Sequence, residues 1–309
     1  RSPRAHLDKA LIHGVHDLIL YAPRTKDRSA GLCTTRAKAE AGIAGKSALS
    51  QTGLQFDQPC SAGCSVHWIY LSPHLDDAVF SCGGLIWEQK ARGEHVEIMT
   101  IFAGDPPPGP LSPVAREHHR RWGTSDDAPR IRREEDACAT QRLGVVARQW
   151  DYADAIYRRL PDSTPLIRDV EDLTEPLPAE PDLLRQLEVQ MRAELPAEAE
   201  WVVPLGAGDH VDHRLVRLAA ESLGHSLYYY ADFPYAGERP GVLKDAVQPA
   251  WRGYVLAVSR EGLSAWQKAM GCYRSQLSTF WPRGEAQMRA EVMDYWRRGG
   301  GSRLWLHMI

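Results

Sequence analysis

No stretch of this 309-residue chain approaches the about 20 consecutive apolar residues that a bilayer-crossing helix needs, which argues against an integral membrane segment. The N-terminus also lacks the basic, apolar and small-residue succession of a secretion signal. Neither sign of charge is in large excess. A formal net charge of -3 and a pI near 6.5, with Lys and Arg dispersed apart from short groups such as Arg132-Arg133 and Arg297-Arg298, leave no footprint for a nucleic-acid partner. No GxGxxG follows the first strand and GxxxxGK[ST] does not occur, so a phosphate cradle lacks its glycines. Cysteine clusters in matched pairs are absent as well. The six cysteines (Cys33, Cys60, Cys64, Cys82, Cys138, Cys272) are scattered, and a chain of this length does not need disulfides for its stability. CSAGC, with Cys60 and Cys64, reads as two loop thiols rather than a zinc knuckle. A reducing, cytoplasmic setting is expected. No internal repeat is visible.

What is present divides at about residue 64. Before it, one amphipathic turn of helix (Leu7, Leu11, Val15, Leu18) ends at Pro23 and is followed by a stretch rich in Ala, Gly, Ser and Thr. Too few apolar residues remain there for a core, so residues 1–64 are expected to be a poorly ordered extension to a domain spanning 65–309. From residue 66 strand and helix patterns alternate: VHWIYLS, a helix from Asp77 to Ala91 stopped by Gly93, HVEIMTIF, helices near Val114 to Trp122 and Ile131 to Leu143, and a strand near Gln149. A helix at about Asp182 to Leu195, the strand EWVVPL, a helix from His210 to Leu223 and the strand SLYYYAD follow. The last third adds a strand at about Tyr254 to Val258, helices near Leu263 to Met270 and Ala286 to Arg297, and a strand at RLWLHM. Such alternation predicts an α/β fold, a Rossmann-like three-layer sandwich around a mostly parallel sheet, with ligands bound outside the carboxyl ends of the strands.

Two polar clusters fall at that edge. LSPHLDDAVFSCGG places one His and two consecutive carboxylates where a hydrophobic strand gives way to a helix. A single Asp there would be read as a helix cap, but capping accounts for one residue and not three. GAGDHVDHR likewise follows WVVPL and precedes a helix, so in a parallel sheet it lies at the same edge. His and Asp suit zinc, and two imidazoles plus one carboxylate leave the open position that a catalytic ion needs.

HLDD and HVDH resemble the paired motifs of the PIG-L/LmbE-like zinc-dependent N-acetylglucosaminyl deacetylases, and the resemblance runs from about Val66 to the end. It implies His74, Asp77 and His213 as metal ligands, Asp76 as general base, His210 as oxyanion partner, Asp212 as the residue orienting that histidine, and Arg132 in RREE as a substrate contact. YRSQ (Tyr273 to Gln276) resembles a recurrent late motif and reads equally as a helix terminus packed on the core. The chain departs from the family at Leu75, where a proline is usual, at Ala78, where an acid is usual, and at Gly208, where some members carry a tyrosine that assists the oxyanion.

The expected reaction is hydrolysis of an N-acetyl group from an amino sugar or glycoconjugate, with Zn2+ activating water and Asp76 taking its proton. The ligand set also suits Fe2+. Asp76 and His210 are both candidates for protonating the leaving amine. The Pro-rich segment from Asp105 to Pro113 reads either as a lid or as a stiff connection. Two other readings stay open: an amidase acting on a non-sugar N-acyl conjugate, and a Rossmann-like binding module without chemistry. The oligomeric state is not indicated.

Overall fold

The computed structural model describes residues 65–175, 180–238, Gly241, Leu243, Val247 and 251–307. The expected N-terminal extension, its helical turn and Cys33, Cys60 and Cys64 lie outside the described residues.

Seven strands form one sheet among the described residues: β1 (His67–Ser72), β2 (His95–Thr100), β3 (Val146–Gln149), β4 (Glu200–Pro204), β5 (Leu227–Tyr230), β6 (Arg252–Val255) and β7 (Arg303–His307), in the order β3-β2-β1-β4-β5-β7-β6. The first five run parallel. β7 lies antiparallel between β5 and β6. The strand order reverses direction between β1 and β4, so the loops after these two strands diverge and leave a crevice at their carboxyl ends.

Alternation along the strands builds a core on each face. Trp68, Tyr70, Val96, Ile98, Val202 and Tyr230 pack against α1 (Asp77–Ala91), α3 (Ala128–Leu143), α7 (Arg260–Met270) and α9 (Glu285–Arg297). The intervening Ile69, Leu71, Met99, Trp201, Val203 and Tyr229 pack against α4 (Pro181–Glu194) and α5 (Val211–Glu221). Both faces are therefore covered, which gives the expected three-layer α/β sandwich. Helix α1 approaches α7 so closely that a Cβ on Gly83 would stand 2.5 Å from Trp266 Cδ1. Glycine at this point lets the fully buried indole sit on the helix backbone, and its Nε1 donates to Val79 O at 2.8 Å.

Helix boundaries follow the sequence signals closely. Helix α2 (Pro113–Trp122) starts with the Ser112 hydroxyl accepting from Ala115 N at 3.0 Å and ends at Gly123, and α3 ends at Gly144; both glycines have positive φ. Two expectations need correction, and one helix was not foreseen. Strand β6 lies at Arg252–Val255, short of the expected Val258. The YRSQ segment is a helix terminus packed on the core, one of its two readings: buried Tyr273 is the N-cap residue of α8 (Arg274–Phe280), a seven-residue helix too short for periodicity to reveal. Cys138 and Cys272 are joined in a disulfide, Cα–Cα 5.9 Å, although 134 residues separate them. Helices α3 and α7 lie side by side, and the turn after α7 at Gly271 sets Cys272 against Cys138.

Candidate metal centre

The first cluster sits where β1 passes into α1. Ser72 handles the local backbone: its hydroxyl donates to His74 O at 2.5 Å and accepts from Ala78 N at 3.0 Å. Asp76 occupies the N-cap position yet makes no side-chain capping bond. Both carboxylates are thereby released from capping. Asp77 Oδ2 accepts from His74 N at 2.8 Å and stands 3.3 Å from His74 Nδ1 and 3.2 Å from His213 Nε2.

The second cluster descends from β4 through a tight loop in which Asp209 adopts a positive φ of 59°. That is a strained conformation for a residue with a side chain, and strain of this kind concentrates at functional sites. His210 then caps α5, its Nδ1 accepting from Asp212 N at 3.2 Å. His74, His210 and His213 offer ring nitrogens that all lie within 4.8 Å of one another. The two distant motifs therefore meet.

Each imidazole facing Asp77 has its other nitrogen on a second carboxylate. His213 Nδ1 donates to Asp232 Oδ1 at 2.7 Å, and Asp232 Oδ2 accepts from Gly206 N and Ala207 N at 2.7 and 2.8 Å. His74 Nε2 donates to Asp212 Oδ2 at 3.0 Å, while Asp212 also accepts from Ala155 N at 3.0 Å and pairs with Arg158 Nη2 at 2.7 Å. These outer bonds fix the tautomers, so a bare nitrogen lone pair of each ring is directed at the Asp77 carboxylate. Two lone pairs and an anion cannot share that space without a cation between them. A proton suffices: burial opposes charge on His213, yet Asp77 and Asp232 push its pKa up to about 10. Burial likewise opposes charge on His74, and Asp154, Asp212 and Asp77 outweigh it. A dication fits the same place. Metal bonds of about 2.0–2.1 Å in a tetrahedral site set neighbouring donors about 3.3 Å apart, which matches the two spacings at Asp77.

The remaining expected residues surround this point. Asp76 is buried, and burial together with the neighbouring Asp77 charge raises its pKa to about 6, against the pull of Arg132. His210 is held down to about 3 by burial and by the charge of His74. Arg132 lies over the Trp122 ring at 4.8 Å and reaches Asp76 Oδ1 at 3.6 Å and Asp154 Oδ2 at 3.7 Å. Its nearest charged neighbours are thus two site carboxylates. The Asp212 carboxylate orients His74; toward His210 it is the backbone N–H of Asp212 that makes the bond. The side chain thus serves a different histidine from the one the resemblance implied.

Three members of the cluster escaped the sequence reading. Asp154 and Arg158 follow β3, and Asp232 follows β5. Asp154 and Arg158 share a polar stretch with Asp151 and Arg159, while Asp232 stands alone; all three come after a strand's carboxyl end, and in a parallel sheet that position is a signal. The Pro-rich segment is tied down at both ends, by Arg133 to Asp105 Oδ1 at 2.9 Å and by Arg159 to Pro110 O at 2.7 Å. Together with Ile156 and Arg158 it walls a narrow cavity beside the site. The YRSQ segment buttresses the site from behind: the Tyr273 hydroxyl donates to Asp136 Oδ1 at 2.8 Å, and the Ser275 hydroxyl donates to Glu135 Oε2 at 2.6 Å.

Known proteins share this arrangement of chain. The sequence is 31% identical over 215 residues to a 2'-N-acetylparomamine deacetylase of Streptomyces fradiae, covering 66% of this chain and 71% of the relative. It is 28% identical to the Niallia circulans protein of the same name, covering 60% and 72%. Among solved structures, a deacetylase from the biosynthesis pathway of teicoplanin superposes with a TM-score of 0.64 at 29% identity, over 78% of this chain and 97% of that one. The zinc-inhibited form of teicoplanin deacetylase gives 0.63 at the same identity and coverage. Residues 69–223, which run from β1 through α5 and carry both polar clusters, match the GlcNAc-PI de-N-acetylase family, and the chain belongs to that family, PIG-L.

Proposed function

We propose that this protein hydrolyses the N-acetyl group of an amino sugar carried on a larger glycoconjugate, with a divalent ion, Zn2+ in the first instance, held by His74, Asp77 and His213. The observation that carries the reading is the pair of imidazoles whose inner nitrogens face one oxygen of Asp77 while their outer nitrogens are bonded to Asp212 and Asp232. Membership of a de-N-acetylase family supports the reaction class. The names of the relatives, 2'-N-acetylparomamine deacetylases and a deacetylase in the biosynthesis pathway of teicoplanin, support the substrate class.

When bound, the ion supplies Lewis acidity that polarises the amide carbonyl and brings the pKa of water to about 7. The protein's own groups do the rest. Asp76, with a pKa of about 6 set by burial and by Asp77, is suited to accept a proton from water near neutral pH. Arg132, 3.6 Å away, pulls against the rise in pKa and favours the ionised form. His210 is neutral, and because its Nδ1 accepts from Asp212 N, its own proton sits on Nε2, from which it donates to the developing oxyanion. One such donor is worth about 3–4 kcal/mol of transition-state stabilisation. A neutral ring has no further proton to release. That favours Asp76, protonated in the first step, over His210 as the group that delivers a proton to the departing amine.

Acetate release from 2'-N-acetylparomamine, N-acetylglucosamine and diacetylchitobiose, measured with Zn2+ supplied, tests the proposal. Release from at least one, abolished by a chelator, is the expected result. Silence on all three by protein that binds zinc overturns the amino-sugar assignment.

A further inference from the structure

At the opposite end of β1 from Asp77, two parallel strands begin with histidine. His67 opens β1, His95 opens β2, and the register pairs them directly. Paired residues of neighbouring parallel strands point to the same face, and the rings stack with centroids 4.2 Å apart at an interplanar angle of 22°. Glu97 lies two residues along β2, hence on that face too. Its Oε1 stands 3.1 Å from His67 Nε2 and 3.3 Å from His95 Nε2, and the three donor atoms all lie within 4.8 Å of one another. Its other oxygen faces Arg148 Nη1 at 4.0 Å.

We propose that His67, His95 and Glu97 form a second divalent-metal site, separate from the catalytic centre. Both imidazoles converge on the same carboxylate oxygen, and the spacings of 3.1 and 3.3 Å match the donor separation of about 3.3 Å that metal bonds of about 2.0–2.1 Å require. Two imidazoles with one carboxylate select Zn2+, Co2+, Ni2+ or Cu2+ over Mg2+ or Ca2+. Arg148, 4.0 Å from the second carboxylate oxygen, draws that oxygen away from the imidazoles and favours Glu97 as a single-oxygen ligand. With the His95 side chain 48% exposed, solvent completes the coordination. A strand of six residues spans about 20 Å, so an ion here clips the starts of β1 and β2 together without touching the chemistry at their carboxyl ends.

Full-length protein equilibrated by dialysis against micromolar Zn2+, with bound zinc counted per chain, tests this. Wild type is expected to hold two ions. His67→Ala/His95→Ala is expected to hold one and to keep wild-type deacetylase activity, and His213→Ala to hold one and lose activity. Glu97→Gln, which preserves size, is expected to weaken the second ion at least tenfold. In wild type the second equivalent raises the melting temperature, and in the double variant it does not. One ion per wild-type chain, or two retained by His67→Ala/His95→Ala, overturns the second site. Because the count at His67 and His95 is read independently of turnover, it stands or falls apart from the amino-sugar assignment.

Discussion

Asp232 grips His213 from both sides of its carboxylate: Oδ1 accepts from the ring at 2.7 Å, and Oδ2 is itself anchored by Gly206 N and Ala207 N. The loop after β4 and the end of β5 are thereby fastened together through one side chain. Removing such an outer partner weakens metal affinity about 10–100-fold. Asp232→Asn, whose amide oxygen still accepts one of these bonds, is expected to fold and to show that loss in competition with a chromophoric chelator. Wild-type affinity in the variant would leave Asp232 a purely structural residue.

The separate roles proposed for Asp76 and Asp77 predict separable phenotypes. Asp76→Asn is expected to lose turnover by about a hundred- to ten-thousand-fold and to keep the catalytic ion. His213→Ala is expected to lose that ion and activity together. Atomic absorption on the two purified variants, alongside acetate release, distinguishes them, and equal metal loss in both would contradict the division of roles.

Asp136 makes stability pH-dependent. Burial raises its pKa to about 6 despite hydrogen bonds from Tyr273 and Gln149, so the folded state holds this proton more tightly than the unfolded chain does. The stabilisation is full below about pH 4 and is lost as pH rises through about 6. Asp136→Asn has the same shape and carries no charge; its amide oxygen still accepts from Gln149, and the Tyr273 hydroxyl can turn round to accept from the new amide N–H. Relative to wild type, it is expected to gain on the order of 2–3 kcal/mol between pH 4 and pH 7, read from urea unfolding at each pH. A constant difference across that range would rule the effect out.

Gly208 marks a close approach. A Cβ there would stand 2.8 Å from Tyr235 Cγ, so the ring of Tyr235 occupies the space that any side chain at 208 would claim. Gly208→Ala is expected to cost about 1–3 kcal/mol through overpacking, and Tyr235→Ala in the same chain to recover most of it. Thermal melts of the two single variants and the double variant measure the coupling. Additive losses would show that the contact carries no such strain.

Much of the fold was legible: α2 and α4 from their amphipathic periodicity, β1, β2, β4 and β5 from their apolar runs, and α1, which is buried nearly all round, from its place between a strand and Gly93. HLDD and HVDH were legible because three polar residues in four have no bland explanation at a strand end. Asp154, Arg158 and Asp232 were not, since their partners lie on other elements: His74 for Asp154, Asp212 for Arg158, and His213, 19 residues back on α5, for Asp232. The partner of Asp212 was misplaced for the same reason: adjacency in sequence suggested His210, and the fold delivered His74. The Ser72 hydroxyl, at the end of β1, accepts from Ala78 N, a helix-start contact that a capping aspartate would otherwise make, and nothing in a strand serine signals it.

The bond between Cys138 and Cys272 closes a ring of chain that contains β3, β4, β5 and β6. A protease that cuts any surface connection inside this ring yields two pieces that still migrate as one molecule until a reductant is added. Nicked protein would therefore pass unnoticed on a non-reducing gel, and a preparation judged whole by that assay deserves a second lane with thiol.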